Sequence, residues 1–358
     1  MLDLLLQYGL FLAKTLTLVG GLIALIVVVA GLVRAGREHV GERLEVKNLN
    51  ERFERMADIL NDDLLTQAEH KLEAKRLKAA DKAKRKAEKR GETPQRSRLF
   101  VLDFDGDIEA SQVSALREEV SALLQVARPD DAVLVRLESG GGIVHGYGLA
   151  ASQLKRIRER GHRLHVSVDK VAASGGYLMA CVADQILAAP FAVLGSIGVV
   201  AQMPNFHRLL NKHEIDVELH TAGEYKRTLT MFGENTDAAR AKFKQELEEI
   251  QGLFKSFVSD NRATLAIERV ATGEHWYGTQ ALELGLIDTI QTSDDFLLAQ
   301  VKERDVFEIR YRVKRGLREQ LLSTLTRVAG LSIGGWRGPV ARMQSFSSLD
   351  ASRFESRP

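Results

Sequence analysis

The chain has 358 residues, of which 45% are hydrophobic and 27% charged, so most of it can bury a core. Its net charge is only +2, which gives no global reason to expect nucleic acid as a partner. The single cysteine, Cys181, excludes a framework of intramolecular disulfides. The charge is unevenly distributed, and roughly the first hundred residues differ from the rest.

An uncharged apolar segment near the N-terminus predicts a membrane anchor. Thr15 to Val33 is a run of 19 residues without a charge, and the apolar stretch extends back to Gly9 past Lys14. At about 1.5 Å per residue, such a helix nearly spans a hydrocarbon core of roughly 30 Å. A cleaved signal peptide fits less well, because the run is too long and early basic residues are missing. We therefore expect residues 9–33 to contact the lipid bilayer as a retained span.

The charges that flank this span bear on its orientation. Only Lys14 precedes the uncharged run, whereas four basic residues follow it, namely Arg34, Arg37, Arg43 and Lys47. By the positive-inside rule, this asymmetry favours a cytoplasmic location for the bulk of the chain.

The next segment is highly charged and helical in pattern. Apolar residues recur at helical spacing near its start, at Phe53, Met56, Leu60 and Leu64. Residues 71–90 hold ten Lys or Arg against three acids. Such a run could bind anionic lipid headgroups or nucleic acid, but blocks of this kind are usually solvated, and we favour a solvated helical stalk. GETPQRS, at residues 91–97, then forms a linker.

After the linker, strand patterns alternate with helix patterns. Apolar, β-branched runs predict strands at 99–104, 132–138, 162–168, 185–189 and 217–221. Helical spacing predicts helices over 111–126 and 147–160, from Ser174, and over 237–262. Repeated strand–helix units indicate an α/β domain with largely parallel strands and outer helices. In such a domain, ligand sites lie at the carboxyl ends of the strands.

The chain is accordingly divided into four parts. Residues 1–35 are the membrane anchor, 36–97 the charged helical stalk and linker, and 98–314 the α/β domain. Residues 315–358 hold an amphipathic helix, which we favour as a packing or partner helix over a membrane-surface helix, and a flexible tail.

Two glycine turns follow predicted strands and would face one crevice. In ESGGGIVHGYG, residues 138–148, Gly142 or Gly141 could present a backbone N–H with no side chain in the way. In AASGGY, the Gly175 N–H follows Ser174 at a helix N-terminus, where backbone donors favour an anion. Together the two donors would form an oxyanion hole beside a serine hydroxyl.

These turns alone do not establish catalysis. The first turn lacks the GxGxxG pattern and a P-loop lysine, and Ser174 on its own is more typical of a helix N-cap than of a nucleophile. A base is required, and no histidine has a paired acid at a telling spacing; the candidates are His145, His162, His165, His207, His213, His220 and His275.

A lysine can serve as the base where a dry pocket favours its neutral form. Lys170 lies four residues before Ser174, but an extended chain would separate their Cα atoms by about 13 Å. Lys226 is the better candidate, because HTAGEYKRTLT follows another predicted strand and glycine turn. Its neighbours Tyr225 and Leu229 could exclude water.

These motifs, in this order, resemble the signal peptide peptidase A family of serine–lysine peptidases. The resemblance covers most of the chain, and its most specific segments are ASGGY, GSIGV and EYKRT. It implies a crotonase-like (ClpP-like) α/β spiral fold for residues 98–314 and a homo-oligomeric assembly. It also implies peptide-bond hydrolysis with no metal or cofactor.

The resemblance carries roles to individual residues. It implies that Ser174 is the nucleophile and Lys226 the general base, with Gly142 and Gly175 as oxyanion donors. Ser196 in GSIGV matches a position that helps to orient the lysine amine.

Gly141 and Tyr225 are expected to support this site. In place of the family's usual proline, this chain has glycine after Ser139, which makes the first turn more flexible.

The implied protein is a single-pass serine endopeptidase of the bacterial inner membrane that cleaves membrane-associated peptides or remnant signal peptides. The resemblance places its catalytic domain in the periplasm, against the flanking charges, and no specific nucleic-acid binding is expected. Two alternatives remain at this point. One is an acyl-CoA enzyme of the same fold, such as a hydratase, although those typically use glutamates; the other is a catalytically inactive membrane scaffold.

Overall fold

The computed structural model describes residues 9–21, 42–90, 96–223 and 225–313. Residues 9–21 are helical (α1), and no helix within these ranges has both the length and the apolar character needed to cross a bilayer. Residues 22–33 of the expected anchor lie outside the described residues, as do the expected C-terminal helix and tail.

One compact unit extends from Leu44 to Tyr311 and is built around a mostly parallel sheet. Ten strands are found in the described residues: β1 (Glu42–Asn48), β2 (Arg98–Gly106), β3 (Ala132–Ser139), β4 (Arg163–Val168), β5 (Val171–Ala173), β6 (Gln185–Ala188), β7 (Val193–Gly195), β8 (His275–Tyr277), β9 (Thr289–Ile290) and β10 (Asp305–Val313). The main order is β1-β10-β2-β3-β4-β6-β9, and β10 through β9 run parallel. The predicted α/β domain with largely parallel strands is thereby confirmed.

Helices cover both faces of this sheet. The described helices after α1 are α2 (Leu49–Leu64), α3 (Gln67–Lys89), α4 (Val113–Val126), α5 (Val144–Glu159), α6 (Gly175–Ala180), α7 (His207–Lys212), α8 (Asp237–Asn261), α9 (Ile267–Val270), α10 (Gly278–Glu283) and α11 (Ser293–Glu303). Along β2, Leu102 packs in the core under α4 and α5, whereas Val101 packs with Leu49 of α2 and Phe296 of α11. Burial on both faces explains why the strands read as nearly continuous apolar runs.

The charged stretch 50–90 is helical, as its pattern predicts, but it consists of two helices. Asn48 caps α2 by accepting the Asn50 N–H, and α2 ends before α3 begins at Gln67. The first turn of α2 packs on the sheet: Leu49 is buried, and the Asn50 side chain donates to the carbonyls of Val301 and Arg304, both at 2.9 Å. The compact unit therefore takes in residues that the sequence-based division assigns to the stalk.

The predicted strand at 217–221 is wrong. These residues form no strand, and Val217 and Leu219 are exposed. Their alternating pattern suits a strand, but strand formation depends on a neighbour to pair with, and the described residues offer none here. The other predicted elements in this domain are present, although α5 begins at Val144, three residues earlier than expected.

Two buried polar groups lie on and just after α6. Tyr177 is fully buried, and its hydroxyl donates to the Leu286 carbonyl at 2.9 Å. Cys181 is also fully buried, and this burial raises the pKa of its thiol to about 12. Both residues belong to the core.

Candidate active site

Three strand ends converge beside the first turn of α6. In the parallel pairing of β3 with β5, Ser139 lies opposite Ala172, and in the pairing of β5 with β7, Ala173 lies opposite Gly195. The Ser174 N–H continues this register by donating to the Gly195 carbonyl at 2.8 Å. The turns that follow these strands must therefore meet, as the sequence predicts for carboxyl ends of parallel strands.

Ser174 occupies a strained position between β5 and α6. Its backbone has φ 52° and ψ −117°, a conformation that residues other than glycine rarely adopt. Its side chain makes no capping hydrogen bond to α6, although it stands at the N-cap position. The hydroxyl of this half-buried serine therefore does not cap the N-terminus of α6.

The first glycine turn lies directly against Ser174. A methyl group placed on Gly141, which has φ +85°, would fall 2.8 Å from the Ser174 Cβ and 2.7 Å from the Gly175 nitrogen. Side chains are excluded at that distance, so only glycine permits this contact.

The two turns differ in how their N–H groups are used. The Gly141 N–H donates to Ser139 Oγ at 3.1 Å. Within the described residues, the N–H groups of Gly142 and Gly175 donate to no protein acceptor. Between the two candidates in the first turn, Gly142 is thus the one that retains a free donor for a ligand.

Close packing behind the turns fixes both of these donors. A Cβ on Gly142 would come within 2.7 Å of the Ile108 Cα, and the next residue, Ile143, donates its N–H to the Ile108 carbonyl at 2.8 Å. A Cβ on Gly175 would lie 2.7 Å from Cδ2 of the Tyr147 ring. Neither glycine can move back without displacing these neighbours.

Ser196 is brought to the same place. It follows Gly195, whose carbonyl accepts the Ser174 N–H, and its own N–H donates to the Glu274 carbonyl at 2.6 Å. Like Ser174, it has a positive φ, 51°, and is half-buried. Because Gly195 pairs with Ala173 and accepts the Ser174 N–H, the backbone of Ser196 follows next to that of Ser174.

The described contacts do not link Lys226 or Tyr225 to this cluster. Lys226 is exposed, and in the part of the chain described here no hydrogen bond joins its Nζ to Ser174. The Tyr225 side chain is 58% exposed, and its ring centroid lies 5.3 Å from the Lys242 Nζ, so it packs with a different lysine. Both residues belong to residues 199–236, where the only described regular element is the short helix α7.

Lys170 is not the base of this site. Its Nζ forms a salt bridge with Glu138 at 3.0 Å, on an exposed surface. The hydrogen bond from Lys170 to Glu138, followed by the charge of that carboxylate, raises the pKa of this lysine above its ordinary value. This salt bridge agrees with the sequence-based argument that Lys170 lies too far along the chain from Ser174 to act as its base.

Sequence reasoning missed a hydrogen-bonded group beneath the turns. Tyr147 is fully buried, and its hydroxyl lies 2.5 Å from Ser139 Oγ and donates to the Asp107 carbonyl at 2.7 Å. Burial raises the pKa of Tyr147 above its ordinary value, so the phenol stays protonated. The available signal was topological: the loop after β2 must lie beside the loop after β3, because these strands are neighbours.

Sequence comparison identifies the family. The family described as Peptidase family S49 N-terminal matches residues 3–154, and that described as Peptidase family S49 matches residues 156–306. The chain belongs to peptidase family S49. The two matched ranges include both glycine turns together with the strands and helices on either side of them. The family resemblance seen in these motifs is therefore confirmed.

Relatives of this S49 peptidase agree with that assignment. Probable protease SohB of Haemophilus influenzae is 54% identical over 329 residues, which covers 88% of this chain and 91% of the relative. Probable protease SohB of Buchnera aphidicola subsp. Schlechtendalia chinensis is 48% identical over 306 residues, covering 84% of this chain and 100% of the relative. The S49 chain is therefore similar, over most of its length, to proteins named as proteases.

Proposed function

We propose that this protein is a membrane-anchored serine endopeptidase in which Ser174 is the nucleophile and Lys226 the general base. Gly142 and Gly175 supply the oxyanion donors, and Ser196 helps to orient the lysine amine. The observation that carries this proposal is the contact of a strained serine, whose side chain caps no helix, with a glycine turn, where the Gly142 and Gly175 N–H groups have no protein acceptor among the described residues.

The proposed chemistry follows from these positions. Neutral Lys226 takes the proton of Ser174, whose oxygen attacks the peptide carbonyl. The resulting oxyanion accepts hydrogen bonds from Gly142 and Gly175, and the lysine returns its proton to the leaving amine. Water then repeats the cycle on the acyl-enzyme, with Lys226 again as the base. Neither a metal nor a cofactor enters any of these steps.

The proposal requires Lys226 to approach Ser174 and lose water. The segment that carries it exposes large apolar side chains, including Val200, Leu209 and Phe232. We propose that a second copy of this chain covers this surface in a homo-oligomer, because an apolar area of this kind is typical of a protein interface. Burial there would favour the neutral amine that a general base needs.

A fluorophosphonate probe tests the nucleophile. We expect the wild-type protein to be labelled, and Ser174→Ala to lose labelling entirely. Lys226→Ala should label at a strongly reduced rate and lose peptide hydrolysis, because removing the base costs roughly 10²- to 10⁴-fold. Lys170→Ala is the matched control, since it removes a lysine near the site that is paired with Glu138.

Each outcome of the labelling experiment discriminates between functions. An absence of labelling in the wild type would favour an acyl-CoA enzyme of the same fold. Undiminished hydrolysis in Lys226→Ala would remove the lysine from the mechanism.

The location of the site is part of the proposal. We propose that residues 9–33 form a single span in the bacterial inner membrane, that the peptidase domain of a crotonase-like fold lies in the periplasm, and that its substrates are membrane-associated peptides or remnant signal peptides. The basic residues after the span favour the opposite side. Reporter fusions at the C-terminus, one active only in the periplasm and one only in the cytoplasm, decide between the two.

A further inference from the structure

We propose that Tyr147 and Ser139 are positioning residues that hold both oxyanion donors in place, so that one phenol side chain couples the two glycine turns. This inference rests on the proposed function of the site. It concerns side chains that touch neither the substrate nor Lys226.

The hydrogen bonds around Tyr147 run in one direction. A phenol has one proton, and Tyr147 Oη lies 2.7 Å from the Asp107 carbonyl, which can only accept. The proton of Tyr147 is therefore committed to Asp107, and the 2.5 Å contact uses the proton of Ser139, whose other acceptor, the Gly106 carbonyl, is more distant at 3.3 Å. Ser139 Oγ is left free to accept the Gly141 N–H at 3.1 Å. A single chain thus leads from Gly141 through Ser139 and Tyr147 to Asp107.

This chain orients the first donor. With its N–H held by Ser139, Gly141 is kept at φ +85°, and the following peptide unit, which carries the Gly142 N–H, is oriented by that dihedral. The turn has glycine at three successive positions, so its backbone has no intrinsic preference for this arrangement. The hydrogen-bonded chain supplies the rigidity that the missing proline would provide.

The Tyr147 ring orients the second donor. Its carbon atoms lie so close to Gly175 that a Cβ there would clash at 2.7 Å. The ring is itself held by an edge contact with Phe104, at a centroid distance of 6.4 Å. The hydroxyl and the ring of one residue therefore set the two halves of the oxyanion hole.

The far end of the chain is anchored in a rigid loop after β2. Both carboxylate oxygens of Asp107 accept hydrogen bonds from Ser111, one from its N–H at 2.8 Å and one from its hydroxyl at 2.6 Å. The Ile108 carbonyl accepts the Ile143 N–H at 2.8 Å. Three loops, after β2, β3 and β5, are thus connected through Tyr147.

The test is Tyr147→Phe, which keeps the ring against Gly175 and removes only the hydroxyl. We expect kcat to fall about tenfold or more, with KM changed less than about twofold, because the oxyanion exists only after attack. The Ki of a peptide aldehyde, whose adduct places an oxygen in the oxyanion hole, should rise by a similar factor. Amide hydrogen exchange over residues 139–147 should also become faster.

Three further variants keep the test decisive. Ser139→Ala breaks the same chain at another atom, so it should show the same split between kcat and KM even if Tyr147→Phe folds poorly. The double variant should lose little more than the worse single variant, because both act through one chain. Tyr177→Phe is the matched control: it removes another buried phenol hydroxyl bound to a carbonyl, and kcat should stay within about twofold of wild type.

The outcomes separate this inference from the function on which it rests. If the wild type hydrolyses peptides but Tyr147→Phe and Ser139→Ala keep its kcat and aldehyde affinity, the positioning role is overturned and the serine peptidase stands. If Tyr177→Phe loses as much kcat as Tyr147→Phe, a general loss of packing explains both. If the wild type is neither labelled nor active, the proposed function fails, and the positioning role falls with it.

Discussion

At the scale of single residues, Ser174 combines strain with function. A non-glycine residue at φ 52° and ψ −117° costs about 1–3 kcal/mol, which the rest of the fold must offset. The short helix α6 cannot supply that energy through its own cap, because the serine side chain makes no capping bond. This strained backbone places the Ser174 Cβ directly against Gly141 of the first glycine turn.

This strain predicts different stabilities for two inactive variants. Ser174→Gly can adopt the backbone conformation freely, whereas Ser174→Ala keeps the strain, so the glycine variant should be more stable by about 1 kcal/mol. Both should be inactive. Urea unfolding of the two variants measures the difference, and equal midpoints would show that the strain is absent in solution.

A second residue-scale feature is the buried carboxyl of Glu119 on α4. It is 5% exposed and accepts the Tyr311 N–H at 2.8 Å. Burial raises the pKa of Glu119 from 4.5 to about 7, and nearby Asp103 adds to this, whereas the Tyr311 N–H and Arg310 oppose it. The folded protein thus binds a proton here that the unfolded chain releases near pH 4.5.

Glu119→Gln should therefore change how stability depends on pH. Because the folded pKa is the higher one, the stabilising contribution of the proton is complete below about pH 4.5 and is lost as pH rises through about 7. The amide keeps an acceptor for Tyr311 and does not titrate. Relative to wild type, the variant should gain up to about 3 kcal/mol between pH 4.5 and pH 8. Unfolding at both pH values checks this, and parallel profiles would contradict it.

At the scale of elements, α5 contains two glycines with opposite surroundings. A Cβ on Gly146 would lie 2.9 Å from the Glu109 carbonyl oxygen and 3.1 Å from the Ala110 Cβ, in the loop after β2. A Cβ on Gly148, two residues further along the same helix, would meet nothing within 4 Å. The first glycine allows the helix to approach the loop, and the second is only a weak helix former.

The two alanine variants should change stability in opposite directions. Gly148→Ala should stabilise the protein by about 0.5–1 kcal/mol, because alanine is the better helix former. Gly146→Ala should destabilise it by about 1–3 kcal/mol, because the loop must give way. It should also lower kcat, since that loop anchors Tyr147. Thermal unfolding compares them, and a stabilising Gly146→Ala would show that the loop moves easily.

Elements could be predicted from sequence where burial and pattern agree. The strands β2, β3, β4 and β6 and the helices α4, α5 and α8 were predicted because they have long, consistent apolar runs. The strand β10 was missed because Glu308 and Arg310 interrupt its pattern. Glu308 is 3% exposed and accepts from Arg136 at 2.6 Å, and both Arg136 and Arg310 bind Asp103. In the sequence alone, the charged residues of a buried ion network cannot be told from those of a solvent-exposed surface.

The candidate site could also be predicted from sequence only where its residues follow strongly patterned strands. Ser174 and the glycine turns lie at the ends of strongly patterned strands, so topology alone brings them together. Tyr147 could not be singled out, because an aromatic residue near a helix start is usually only part of the core. The approach of Lys226 to Ser174 was expected from spacing and resemblance and stays a prediction, since the described contacts do not include it.

At the scale of the whole molecule, residues 199–236 stand apart from the well-packed sheet. Val200 is 90% exposed, and other large apolar side chains of this segment are exposed as well. Burying apolar surface stabilises a protein by about 25 cal/mol per Å², and an isolated chain lacks that stabilisation for these exposed side chains. The homo-oligomer proposed above would bury this surface.

Charged substitutions in this segment should therefore disrupt assembly. In the detergent-solubilised full chain, Val200→Glu combined with Leu209→Glu should lower the molar mass measured by light scattering and reduce hydrolysis in parallel. Ile59→Glu is the matched control, because Ile59 is similarly exposed, at 66%, on α2. An unchanged molar mass, or an equal loss in the control, would argue against an interface at residues 199–236.

The burial of Cys181 has a practical consequence. This is the only cysteine in the chain, and its thiol is fully buried, with a pKa raised to about 12. Thiolate is the form that reacts with maleimide, so the native cysteine should not react with such reagents in the folded protein. A cysteine introduced at an exposed position would then be the sole attachment point for a spin label or fluorophore. With two such cysteines, one near Lys226 and one near Ser174, the separation of a label pair could be followed without first removing a native thiol.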